Sequence, residues 1–318
     1  MKLRLLPVVA IAAARKPRAS AGVRRTPTRD RPLLFFHLPK TGGSSLRHVI
    51  LQTFPRAVSL VPGSGGLPSE ATERVLANDQ WRDRAACATV AAGHFKPGPL
   101  LKTLAEIGGS AGCGAPRRWA WASREKPPVD ALDDVDCVIA SRDPVARMVS
   151  HYLHFHRRSS GGRNRTVSQF ARDEGASQFH VAAGGLVVEH WLSYGLFWGN
   201  FSRASDVALA VLRRCKAVFP DAPGGEAAAW LAGAKRAPRF VDVSRRNVNR
   251  RDAAADRALS PSQLDAVLAL PAVRREGAIW HALRRDHGLD ACSGFGCWRA
   301  DGTVDRGRRP PRVPSRCS

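Results

Sequence analysis

Hydrophobic periodicity along this chain changes twice in the same way. Residues 33–38 (LLFFHL) form a short run that reads as a strand buried on both faces and is too short for a helix. Pro39 and the pair Gly42-Gly43 break it, and from Ser44 onward Leu46, Val49, Ile50 and Phe54 recur at helical spacing, with Ser44 or Ser45 placed to cap the start. A hundred residues on the order repeats. Cys137 to Ala140 predict a second buried strand, Asp143 a helix cap, Pro144 a first helical residue, and Val145, Met148, Val149, Tyr152 and Phe155 an apolar stripe. Arg142 then stands at the strand's end and Ser150 two turns into the helix. Between the two units, residues 87–98 (CATVAAGHFKPG) predict a strand whose end carries His94.

Residues 157–170 are polar and glycine-rich and predict a loop bearing Arg157, Arg158, Arg163 and Arg165. Several alanine-rich helical patterns fill 178–235, and Arg239 to Ser244 (RFVDVS) reads as a further strand followed by SRRNVNRR. Ser260-Pro261-Ser262-Gln263 has the form of a capping box, leading to a helix with Leu264, Val267 and Leu268, and a second helix runs through Ile279, Trp280 and Leu283. The order of elements predicts an α/β fold, a central parallel sheet flanked by helices in one catalytic domain over 32–290. From 291 the chain becomes a Cys-containing, Arg- and Pro-rich tail, and the loss of periodicity after Trp298 predicts disorder.

At the other end, residues 1–31 predict a targeting segment and linker. Two basic residues precede LLPVVAIAAA and small residues suited to cleavage; so few apolar residues cannot span a bilayer, which takes roughly 20. A signal peptide is the first reading, a short signal-anchor the second and an organellar transit peptide the third. Seven cysteines leave at least one thiol unpaired; Cys292 and Cys297 flank a Gly-containing turn that could close in an oxidising lumen, whereas Cys137 reads as core. None has the paired spacing of a zinc site, so no metal is expected. Sequons at Asn164 and Asn200, two of only five asparagines, favour the secretory route.

Charge changes the picture less than its size suggests. The net charge is +23, but arginine supplies 42 of the 50 basic residues, a bias that GC-rich coding would produce as readily as selection for anions. It fits a sulfated or uronic-acid polysaccharide and a nucleic acid equally well.

Chemistry enters through residues 37–45. In a strand, glycine turn and helix, the free N–H groups of the first helical turn and the two glycines face a bound anion; Lys40 adds a full charge, and Thr41, Ser44 and Ser45 add hydroxyls. The lysine precedes Gly42 and Gly43, so the stretch is not a Walker A loop. HLPKTGGSS resembles the 5′-phosphosulfate-binding loop of carbohydrate sulfotransferases, especially the heparan sulfate 2-O- and 6-O-sulfotransferase group, which use 3′-phosphoadenosine 5′-phosphosulfate as donor. That family reads the donor's 3′-phosphate with R-D-P-x-x-R-x-x-S, and Arg142, Arg147 and Ser150 fill the pattern; a solvated helix face is the competing reading of Arg147.

The resemblance implies a P-loop-like sulfotransferase fold, a glycan or polysaccharide acceptor, no required metal, and residence in the Golgi lumen or membrane with anchoring through the N-terminus. A G-H pair after the first helix supplies the family's base, and Gly93-His94 matches it; histidine's ordinary pKa suits proton removal from a sugar hydroxyl. His37 reads instead as structural, and His151, His154 and His156 as substrate-facing or solvated. An N-V-[ST] stretch near the nucleotide is matched by Asn247-Val248 with Asn249 in place of the hydroxyl, which carries over a role for Arg245 and Asn247. Over 178–235 the family's asparagine- and arginine-bearing signature is missing, leaving the acceptor open. Two other classes compete. A nucleotide kinase shares the strand-turn-helix but requires the other lysine order, and a basic nucleic-acid-binding protein explains the charge but not two spaced anion motifs, so no nucleic-acid partner is expected.

Overall fold

The structure is a computed structural model that describes residues 27–38, 40–41, 43–54, 57–60, 87–93, 97–106, 119–120, 122–123, 129–153, 166–174, 201–218 and 259–307. Five parallel strands form the central sheet: β1 (Leu33–Phe36), β2 (Ala57–Leu60), β3 (Val90–Gly93), β4 (Asp136–Ala140) and β5 (Lys216–Val218), in the order β2-β3-β1-β4-β5. The mixed α/β architecture with helices over a parallel sheet is the one the element order predicted. Two of these strands, β2 and β5, were not anticipated.

Period-two alternation in β1 builds both faces of the sheet at once. Leu33 and Phe35 meet Val90, Ala92, Val138 and Ala140, and this face is covered by Leu46, Val49 and Ile50 of α1 (Gly43–Thr53). Leu34 and Phe36 join Ala91, Cys137 and Ile139 on the other face. There they pack under α2 (Pro97–Glu106), α3 (Pro144–His151), α4 (Val167–Glu174) and α5 (Phe201–Arg214). α6 (Pro261–Leu268) and α7 (Pro271–Asp286) extend the same core, α6 against α4 and α7 against α3 and α5. Ser260 caps α6 with the predicted reciprocal box, its Oγ accepting from the Gln263 N–H and its own N–H donating to Gln263 Oε1.

Two expectations about the cysteines and the C-terminus are corrected. Cys137 is not a free core thiol; it is joined to Cys215, 78 residues away, which stitches β4 to the entrance of β5. Nor are residues 292–307 without structure, although the rest of the tail lies outside the described residues. Cys292–Ser293 (β6), Gly296–Trp298 (β7) and Val304–Asp305 (β8) form a small antiparallel sheet, closed by the Cys292–Cys297 disulfide and seated on α7. Its core contribution comes from side chains the tail composition conceals, Ala291, Phe295 and Trp298. Cys87 is also disulfide-bonded. Among the described residues no helix is long and apolar enough to cross a membrane.

Candidate anion site at the strand ends

The carboxyl ends of β1, β3 and β4 lie side by side, with Phe36 in register with Gly93 on one side and Ile139 on the other. From β1 the chain goes over β3 to β2, whereas from β4 it goes the opposite way to β5, so the strand order reverses between β1 and β4. Such a reversal is the place where open α/β sheets form the crevice that holds their ligands. Both motifs read from the sequence end at it: the loop into α1 leaves β1 there, and Ser141-Arg142-Asp143 leaves β4 there.

The first loop is held tightly. The His37 N–H donates to the Gly93 carbonyl at 2.8 Å, tying the end of β1 to the end of β3. Lys40 has φ 65°, a left-handed conformation that costs an ordinary side chain energy and is kept only where surrounding contacts enforce it. Thr41 is buried and its hydroxyl donates to the Leu38 carbonyl at 2.8 Å. In this arrangement the side chain braces the turn.

Gly43 opens α1, so Ser44 and Ser45 lie inside the first turn and not ahead of it as caps. A Cβ at Gly43 would overlap the His37 ring, which is buried and stacked on Phe35 at 5.8 Å. His37 is thus the packing residue it was expected to be. The first turn of α1 contains no acidic residue, so the helix itself sets no carboxylate against an anion at the positive end of its dipole. Farther along, Arg47 is half-buried, and desolvation pushes its guanidinium below the ordinary value.

The second motif is more buried than its polarity suggests. Arg142 is partly exposed at the crevice, while Arg147 is 0% exposed and Ser150 is buried on the same face of α3. Full burial rules out the solvated-face reading of Arg147. Asp143 caps α3 as predicted, Oδ1 accepting from the Ala146 N–H at 2.8 Å. Its Oδ2 accepts from the Trp298 indole N–H at 2.5 Å, a contact across 155 residues that no local pattern announces. Ser141 is also buried, and its Oγ has no hydrogen-bond partner among the described residues. His151 packs edge-on against Phe170 at 5.4 Å and belongs to the α3–α4 contact, away from a substrate-facing role.

The structure therefore sets Lys40 and Gly43 after the end of β1 and Arg142 after the end of the adjacent β4, with Arg147 and Ser150 on the helix that follows. His94 follows the last residue of β3 but lies outside the described residues, as do Gly42, the side chains of Ser44 and Ser45, Arg245, Asn247, His154, His156 and both sequons. Among the described residues there is no cluster of His, Cys, Asp and Glu that could hold a metal ion. Comparison with protein-family models, with curated proteins and with solved structures produced no match.

Proposed function

We propose that the chain is a sulfotransferase that moves a sulfonate group from 3′-phosphoadenosine 5′-phosphosulfate to a hydroxyl of a glycan or polysaccharide, on a P-loop-like sulfotransferase fold. One observation carries this reading: the Lys40–Gly43 turn and the Ser141–Asp143 turn, matched in sequence to the two phosphate-reading motifs of that family, emerge together where the strand order reverses. In this reading the α1 turn with Lys40 holds the 5′-phosphosulfate and Arg142, with Arg147 and Ser150 behind it, the 3′-phosphate. His94, next after Gly93, accepts the proton of the acceptor hydroxyl.

The hydroxyl oxygen then forms its bond to sulfur in line as the bond from sulfur to the bridging phosphate oxygen breaks. Negative charge grows on the departing adenosine 3′,5′-bisphosphate, where Lys40 and the loop N–H groups meet it; these preorganised donors supply the stabilisation without calling on a metal ion. The disulfides at Cys137–Cys215 and Cys292–Cys297 fit an oxidising, lumenal compartment, in keeping with a secretory N-terminus.

The deciding experiment is a thermal shift with adenosine 3′,5′-bisphosphate, ATP plus magnesium, and duplex DNA in parallel. The reading expects stabilisation by the bisphosphate alone, approaching about 2.7 kcal/mol at a hundredfold excess over Kd. A shift with ATP–magnesium alone would move the site to a kinase, and one with DNA alone to a nucleic-acid-binding protein. Labelled donor with a panel of polysaccharides then identifies the acceptor.

A further inference from the structure

Helix α7 buries Ala272, Ile279 and Leu283 on the side where it meets α3 and α5, and it turns a row of cations outward. At 3.6 residues per turn, Arg274, His281 and Arg285 fall within about 40° of one another on the opposite side, spread over about 16 Å of helix. Both arginines are exposed and His281 is half-buried, with the methyl group of Ala278 in the same row. Exposed helices ordinarily balance such charges with carboxylates three or four residues away. Neither arginine has one at those positions.

The surrounding carboxylates are engaged elsewhere. Asp286 pairs with Arg213 of α5 at 3.0 Å, Asp305 with Arg299 at 2.9 Å and Asp265 with Arg306, while Glu276 is fully buried. Among the described residues neither Arg274 nor Arg285 forms an ion pair. Arg274 donates from Nε to the Leu268 carbonyl at 3.3 Å, which steadies it at the start of the helix and leaves its charge uncompensated. His281 is held below its ordinary pKa, first by desolvation and then by the Arg285 charge, so the two side chains oppose each other electrostatically.

A row of this length matches a string of negative charges better than a single phosphate. Two observations choose among polyanions. No Phe, Tyr or Trp stands on the row to stack bases, since Trp280, the one such residue of α7, is 0% exposed. The disulfides Cys137–Cys215 and Cys292–Cys297 fit an oxidising compartment, where a polysaccharide is a more accessible polyanion than a nucleic acid.

We propose that the outward row of Arg274, His281 and Arg285 on α7 binds an anionic polysaccharide, sulfated or bearing uronic acids, in addition to the strand-end residues assigned to the donor. The choice of a polysaccharide rests on the sulfotransferase reading, in which the bound chain is the acceptor; the charge pattern does not.

The test titrates the protein calorimetrically with heparin, a sulfated polysaccharide, with neutral dextran and with duplex DNA, at several salt concentrations. Arg274→Gln/Arg285→Gln should bind heparin about fivefold or more weakly than the wild type, with a shallower salt dependence. Its affinity for adenosine 3′,5′-bisphosphate should be unchanged, and dextran should bind to neither protein. Because the net charge is +23, a second pair controls for charge alone: Arg172→Gln/Arg214→Gln removes two exposed arginines from α4 and α5. That pair should weaken heparin by less than about twofold. If the α7 double variant does not fold, Arg285→Gln alone should shift heparin affinity in the same direction. Equal weakening by the two pairs, or unchanged heparin affinity in the α7 variant, would overturn the proposal while leaving the sulfotransferase reading intact. DNA binding tighter than heparin and lost in the α7 variant would overturn the polysaccharide in favour of a nucleic acid. A wild type that binds heparin through the row but not the bisphosphate would overturn the sulfotransferase reading alone.

Discussion

Gly43→Ala offers a direct test of the loop geometry. The added methyl would stand 2.8 Å from His37 Nε2 and 3.0 Å from Cγ, closer than carbon atoms pack, so one of the two must move. The ring has little freedom to yield, because it is 5% exposed and lies nearly parallel to Phe35, at 15°. Overpacking of this kind costs about 1–3 kcal/mol. Replacing glycine in a helix returns up to about 1 kcal/mol, less at a first turn. The net loss should be about 1–2 kcal/mol, a fall in Tm of roughly 2–8 °C for a domain of this size.

The double variant His37→Ala/Gly43→Ala removes the obstacle, and the two costs should then fall short of additivity by about 1 kcal/mol or more. Differential scanning calorimetry on the four proteins measures the cycle, and bisphosphate affinity on the same samples should drop for Gly43→Ala, whose α1 turn has shifted. A Gly43→Ala protein that melts at or above the wild type, or two costs that simply add, would refute the close approach of ring and helix.

Lys40→Ala should nearly abolish turnover and weaken donor binding, measured by steady-state kinetics; Lys40→Gly should be equally inactive yet melt no lower than Lys40→Ala, since glycine takes a φ of 65° without strain. His94→Ala should lower kcat by roughly 10²- to 10⁴-fold with bisphosphate affinity retained. Wild-type activity should fall as acid protonates the base, because a protonated imidazole cannot accept the hydroxyl proton, and that limb should be missing from the variant's residual rate. Replacing Cys137 and Cys215 by serine opens a closure of 78 residues and should cost up to about 4 kcal/mol, read by urea unfolding. A variant as stable as the wild type would mean that the two cysteines are not bonded.

Much of the candidate site was legible because its signals are local. A strand buried on both faces, a glycine turn and a helix with its first apolar residues three and four apart can be read within twenty residues, as can the Asp143 cap and the Ser260 box. What escaped was of two kinds. β2 (AVSL) and β5 (KAV) are short runs whose identity as strands depends on having β3 and β4 beside them. Burial of charge and polarity was the other: a solvated helix face competed with a phosphate contact as the reading of Arg147, which is fully buried on α3, the helix against which α7 packs.

The sequence by itself determined the element types, the two anion-suited turns and their order along the chain, because backbone propensity, capping and hydrophobic period act over one or two turns. Tertiary structure alone decided which strand ends meet, that Cys137 faces Cys215, that residues 292–305 form a sheet in place of a tail, and that Trp298 reaches Asp143. Each of these joins residues far apart in the chain through burial of shared surface, and the free energy that selects such a contact appears only once the core has brought both partners together.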